Sequence, residues 1–366
     1  MHLDVTLATP ADDEAIRALL RRELMPGRIR LTYEREPEFR LGCEVTGENC
    51  QVLVARPENR AEIVGLACRS VRRVFINGKE QRVGYLGQLR VDSRFRGRWL
   101  VSRGFSRLKQ LHDRDPLPGY LASIVGGNEE ATGVLVRKRR PNFPAFHPIA
   151  DYRTVAISVN HAKPALPDMK ISSARIEDLA EILGFLNATG ARRQFAPVWT
   201  EEALRGLSSF GLEIADLRLA RCDGELVGVA ALWDQSQYKQ TVIHGYTGWL
   251  KAVAPIYNLG APWLGRPPLP RPGEKLKSVY AALISVANDD IAIFRSLLRE
   301  LYNLASARGF RHLLVGMDSR DPLLAATRDY SHIIYPSQLY LAEWTEGGGL
   351  YEQLDGRPAY VEIATL

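Results

Sequence analysis

Hydrophobic and polar residues alternate from Tyr85 to Val91, with Leu86, Gln88 and Arg90 on one face and Leu89 and Val91 on the other. A period of two predicts a half-buried strand. Arg94, Arg96 and Arg98 then flank Gly97, after which Val101, Phe105, Leu108 and Leu111 recur at helical spacing. The order is therefore strand, basic turn, helix. Around it the same patterns predict strands at Leu3 to Ala8, Gln51 to Arg56, Ile63 to Ile76, Tyr120 to Val125 and Tyr152 to Val159. A helix from Asp12 to Leu24 buries Ile16, Leu19, Leu20 and Leu24, one follows from Val101 to about Asp113, and another runs from Glu130 to Arg139 before Pro141. Asn77-Gly78 is a hairpin turn into the strand that ends at Val91.

The plan then repeats. Ala8, Asp12, Ile16 and Leu20 return 166 positions later as Ala174, Asp178, Ile182 and Leu186. Ala55-Arg56 returns as Ala220-Arg221, and Glu62 to Ala67 as Glu225 to Ala230. A drifting offset kept across three elements argues for internal duplication. The expected division is residues 1–160, a Pro-containing linker at 161–168, and residues 169–366. Val91 corresponds to Val286 at a larger offset of 195, so the second copy carries an insertion, at about 238–277, with an aromatic part and the proline-rich run Pro262 to Pro272. Long loops of this kind serve as lids or binding loops, or run passively over the surface.

The first turn of a helix has unpaired N–H groups and partial positive charge, and arginines there make a phosphate cradle. At this point the chain resembles the GNAT superfamily of acyl-CoA-dependent N-acyltransferases. Leu89-Arg90-Val91-Asp92-Ser93-Arg94-Phe95-Arg96-Gly97 resembles the run that ends the family's fourth strand. Trp99 and Val101 stand where that family has small residues. The resemblance implies an α/β fold (an α+β mixed sheet) of two tandem GNAT-like domains, each a central mixed sheet flanked by helices. It implies an acyl-CoA site made by Leu89, Arg90, Val91, Arg96, Gly97, Arg98, Trp99, Leu100 and Asn128, with acetyl-CoA the commonest donor in the family and a longer acyl-CoA or acyl carrier protein the alternative. The second copy has Asp289-Asp290 before Ile291-Ala292 where the first has Arg96-Gly97, and two carboxylates there repel a pyrophosphate. One coenzyme per chain is therefore expected, in the first copy.

Direct attack of an amine on a thioester needs a free amine, a polarised carbonyl and a protonated leaving thiolate. The family polarises the carbonyl with a fourth-strand N–H, which here implies Leu89 or Arg90. The tyrosine acid that follows the asparagine in the family is replaced by Leu135. Tyr85, Gln88 and Tyr120 remain as catalytic candidates, with core positions as the competing reading of both tyrosines. Asp92 and Glu44 are candidate bases, as is a water relay. Tandem relatives, the N-myristoyltransferases, use a C-terminal carboxylate, and share with this chain the tandem plan and a terminal Leu. His147, in Pro144 to Pro148, reads as a structural residue in a rigid loop, and Arg137 to Arg140 as a solvated helix end or a contact to the 3′-phosphate of CoA.

Composition changes this picture little. The 366 residues are 46% hydrophobic and 25% charged, and the net charge of +6 suits an anionic ligand but is too scattered for nucleic acid. No apolar run is long enough to span a membrane, and the first residues lack the pattern of a signal peptide. Cys43, Cys50, Cys68 and Cys222 have no Cys-x-x-Cys spacing. They are expected to be free thiols of a cytoplasmic protein, with no metal site. The partners expected are a CoA thioester and an amine. The composition leaves the oligomeric state open. The competing reading of another class is a non-catalytic acyl-CoA-binding or interaction protein, which Gln88, Trp99, Val101 and Leu135 favour.

Overall fold

Asn77 and Gly78 both take positive φ, 52° and 78°, and reverse the chain between two long strands. Two positive values are what a twisted two-residue hairpin demands. The computed structural model that shows this describes residues 3–366 apart from 26, 28, 59, 98, 99, 138–142, 168, 261–268 and 345–347. The first half carries strands β1 (Leu3–Leu7), β2 (Ile29–Glu34), β3 (Glu48–Pro57), β4 (Gly65–Ile76), β5 (Lys79–Val91), β6 (Tyr120–Val125) and β7 (Ala145–Ser158). Its helices are α1 (Asp13–Arg22), α2 (Phe39–Glu44), α3 (Leu100–Arg114) and α4 (Glu129–Thr132). In the second half lie β8 (Lys170–Ser173), β9 (Leu217–Cys222), β10 (Glu225–Trp233), β11 (Gln240–Tyr246), β12 (Ser278–Val286), β13 (His312–Asp318) and β14 (His332–Glu343). Its helices are α5 (Leu179–Gly190), α6 (Glu201–Gly206), α7 (Trp249–Gly260), α8 (Ile291–Ala307) and α9 (Leu350–Gln353).

Twelve strands form one mixed sheet in the order β1-β3-β4-β5-β6-β14-β7-β13-β12-β10-β9-β8. From either edge inward the order repeats, except at the centre. There β14 of the second half pairs with β6 of the first, and β7 of the first pairs with β13 of the second. The two exchanged strands pair antiparallel along their length, from His332 opposite Ile157 to Glu343 opposite Ala145. Period-two patterning lets each half bury both faces. On β4, Leu66 and Cys68 meet Ile16, Leu19 and Leu20 of α1, whereas Val71 meets Phe105, Leu108 and Leu111 of α3 on the other side. In the second half α8 and α5 cover opposite faces in the same way. Each such leucine contributes about 1.5–3 kcal/mol. Among the described residues no helix is long and apolar enough to cross a membrane.

Three features differ from expectation. β7 starts at Ala145, so His147 lies on a strand, stacked on Tyr351 and 3.4 Å from Glu343, and is not in a loop. Pro148 is tolerated because the ladder is irregular opposite it, between Leu339 and Tyr340. The segment after α4 continues as one π-helical turn, Gly133–Arg137, and residues 138–140 of the basic run lie outside the described residues. The segment between α1 and β3 also holds β2 and α2, and β2 pairs with β11 as a separate ribbon joining the two halves.

Candidate functional site

β5 and β6 pair in parallel only at Gly84–Tyr120, Tyr85–Leu121 and Leu86–Ala122, and then separate. The cause lies on the other side of β5. Cys68 of β4 faces Gly87 and Leu66 faces Arg90, so Gln88 and Leu89 together oppose Ala67. This is a bulge, with Gln88 at φ 55°, and bulges bend their strand. It also breaks the strict alternation expected from Tyr85 to Val91. A cavity of about 430 Å³ opens in the gap and reaches both sheet faces. One side is walled by Leu100, Phe105 and Leu108 of α3, and the other by Tyr33, Arg35, Lys239 and Tyr280.

The second half repeats the device and then fills it. β12 and β13 pair at Ser278–His312 to Tyr280–Leu314 and separate, and β12 bulges at Leu283, φ 53°. Leu283 lies at the same offset from Gln88 as Val286 from Val91. Here the bulge N–H donates to the Glu362 carboxylate at 2.7 Å. That carboxylate also accepts from Ala364 N (3.1 Å) and Tyr360 Oη (2.9 Å), and burial raises its pKa. Ile363 packs on Gly316 of β13, where a Cβ would lie 2.3 Å from its Cγ2. At the start of α8, Asp290 accepts from Ala292 N and Ile293 N and so occupies the anion-binding end of the helix.

Solved structures share the overall fold. N-myristoyltransferase of Saccharomyces cerevisiae with bound myristoyl-CoA covers 93% of this chain and 79% of its own, with TM-score 0.62 and 11% identity. A GCN5-related N-acetyltransferase from Sphaerobacter thermophilus covers 100% and 98%, with TM-score 0.55 and 13% identity. The fold is that of the GNAT superfamily. A GCN5-related glucosamine N-acetyltransferase region of a fungal multi-domain β-N-acetylglucosaminidase shares it too, over 93% of this chain and 38% of that one (TM-score 0.59, 12% identity). No protein-family profile and no curated protein matches the sequence.

Within the GNAT fold, Tyr85, Gln88, Leu89, Arg90, Val91, Leu100 and Asn128 all line the cavity. Asn128 also caps α4 by accepting from Ala131 N (3.1 Å). Tyr120 is not brought there. It is fully buried, with its hydroxyl on Arg69 Nε (3.2 Å) and His112 Nδ1 (3.0 Å). Arg96 and Gly97 lie beyond the lining, and Arg98 and Trp99 lie outside the described residues. Arg96 bridges Glu23 (3.2 Å) and Glu130 (3.1 Å). Asp92 is held by Arg94 and Arg22, and Glu44 pairs with Arg40. Neither carboxylate lines the cavity.

The polar end of the cavity is built by residues that sequence reasoning missed. Lys239 is half-buried, and its Nζ donates to main-chain oxygens of Ala364 (2.7 Å) and Leu366 (2.9 Å). Burial first, then the nearby Arg35 and Arg72, push its pKa well below the ordinary lysine value. The two hydrogen bonds use two of the three free positions on the nitrogen and leave the third. The Arg72 guanidinium lies 4.6 Å above the Tyr85 ring, and burial raises the pKa of the Tyr85 hydroxyl. An isolated lysine or glutamate in a sequence reads as solvated. Only the pairing of β2 with β11 and the inward course of residues 359–366 bring these charges inside.

Proposed function

We propose that this protein is an acyl-CoA-dependent N-acyltransferase acting in its first half, residues 1–160, with the second half, 169–366, shaping the acceptor end. The observation that carries this is the bulged, splayed β5–β6 pair opening a through-sheet cavity. A bulge leaves an N–H without a ladder partner, which can polarise a thioester carbonyl. Sequence resemblance points to Leu89 or Arg90. The second half adds Gln88, because its counterpart Leu283 donates to a carboxylate oxygen. The pantetheine arm lies along Leu89 to Val91 and Asn128, and the phosphates lie at Arg96, Gly97, Arg98, Trp99 and Leu100. The amine enters from the Lys239 side. Its nitrogen attacks the carbonyl carbon, Lys239 takes the proton from the nitrogen, the C–S bond breaks to release the CoA thiolate, and that proton passes on to the sulfur to give the thiol.

Acetyl-CoA is the donor most frequent in the fold family. A longer acyl chain is favoured by the apolar wall of Leu53, Leu66, Phe105, Leu108, Ile124 and Phe146. Thiol release from CoA esters of two to fourteen carbons, measured with a panel of amines, tests the proposal. Turnover should occur with at least one amine, and its dependence on chain length names the donor. Tight binding of every ester without turnover on any amine would make the protein an acyl-CoA-binding module instead.

A further inference from the structure

Cys43 on α2, Cys50 on β3 and Cys68 on β4 place their sulfur atoms within 4.8 Å of one another. Cys43 and Cys68 are 3.8 Å apart. The ladder puts Val52 opposite Cys68, and Cys50, two residues before Val52, shares its face. An irregularity between Glu48 and Gln51, with Asn49 at φ 50°, starts that strand. Gly47 lets the turn from α2 close on β4, since a Cβ there would lie 2.5 Å from the Val71 carbonyl oxygen. Cys43 and Cys68 are buried and Cys50 is half-buried. The spacing in sequence gives no hint of this.

The geometry suits a metal. Bonds of ~2.3 Å to sulfur at tetrahedral angles separate two ligands by about 3.8 Å. The charge suits one too. Arg35 lies across Gly42, beside Cys43, where a Cβ would meet its Cδ at 2.5 Å. It is 6% exposed, and its hydrogen bond goes to the main-chain carbonyl of Glu34 at 3.2 Å. Among the described residues it has no carboxylate in ion-pair range. A buried guanidinium without a counter-ion is costly. Three thiolates around a divalent cation carry one net negative charge, which Arg35 balances. A monovalent cation would leave two.

We propose that Cys43, Cys50 and Cys68 bind one divalent thiophilic cation, Zn²⁺, with Arg35 as its counter-charge. Binding releases the three thiol protons and leaves a fourth position for water. Cys68 also lines the acyl-transfer cavity, so the metal would stiffen the wall behind Gly87. The inference does not depend on the acyltransferase reading.

The test uses the full chain, reduced with a phosphine, stripped with chelator and titrated with ZnCl₂ or CoCl₂. One zinc per chain should bind, and cobalt should give intense near-ultraviolet thiolate charge-transfer absorption. Alkylation followed by peptide mass spectrometry should find Cys43, Cys50 and Cys68 protected by zinc and Cys222 reactive. Cys50→Ala should lose at least tenfold in affinity, and Cys222→Ala should lose none. If Cys50→Ala does not fold, the protection pattern of the unsubstituted protein decides. Zinc-independent alkylation of the three thiols, binding indifferent to Cys50→Ala, or a Cys43–Cys68 disulfide that persists in reductant would each overturn the proposal.

Discussion

Asp92, 1% exposed at the end of β5, accepts from the Arg94 side chain and backbone N–H and pairs with Arg22. The Arg94 hydrogen bond is the main reason its pKa falls to about 2. A carboxylate with a depressed pKa contributes stability above its unfolded value, near 4, and loses it as pH falls through about 2. That contribution is on the order of 2 kcal/mol. Urea midpoints of the wild type and Asp92→Asn should differ at pH 6 and converge toward pH 2. Arg96 acts on the ligand instead of the fold. Its bridge to Glu23 and Glu130 must open for a pyrophosphate, so Arg96→Glu should weaken CoA binding by about 2–3 kcal/mol. Calorimetry showing unchanged affinity in a folded variant would move the phosphates elsewhere. Lys239→Met should lower kcat by roughly 10²-fold or more while leaving CoA affinity nearly intact. Because the base works when deprotonated, the wild-type rate should rise with pH through a value well below that of free lysine.

At the scale of elements, the strand–turn–helix at Val91 to Leu111 was legible because each part is local: alternation, arginines at a turn, apolar spacing. The bulge at Gln88 was not legible in the hydrophobic pattern, since it is a mismatch of register between β5 and β4, and no one-strand pattern records its partner's spacing; only the family resemblance implied one, near Leu89 or Arg90. The β2–β11 ribbon escaped for a related reason, its partners being drawn from opposite halves of the chain. That ribbon carries the insertion. Gly273 N donates to the Ile243 carbonyl at 2.7 Å, so the ends of the excursion between them already touch. Replacing residues 247–270 with a short Gly-Ser turn should keep the ribbon. It should raise the acceptor KM and leave CoA affinity unchanged, as steady-state kinetics and calorimetry can show. The reverse pattern would place the insertion over the coenzyme.

Across the whole molecule, both halves own a splayed pair and a bulge, but the second pair is filled by residues 360–363 and its helix start is capped by Asp290. A pyrophosphate ~4 Å from such a carboxylate meets roughly 4 kcal/mol of repulsion at an effective dielectric of ~20. Titration with CoA should give one site per chain, abolished by Arg96→Glu and indifferent to Asp290→Ala. Two sites, or one that senses residue 290 alone, would reverse the roles of the halves.

The exchange of β7 and β14 has a consequence for ancestry. Two identical subunits that trade their final strands across a two-fold axis make a closed, isologous dimer. Joining the end of one subunit to the start of the other yields the strand order seen here, with the axis passing between β14 and β7. In such an arrangement one half completes the other's sheet whether or not it binds a ligand itself. Residues 1–160 and 169–366, produced separately, should therefore each be incomplete and aggregation-prone. Mixed during refolding, they should recover a one-to-one heterodimer that binds CoA.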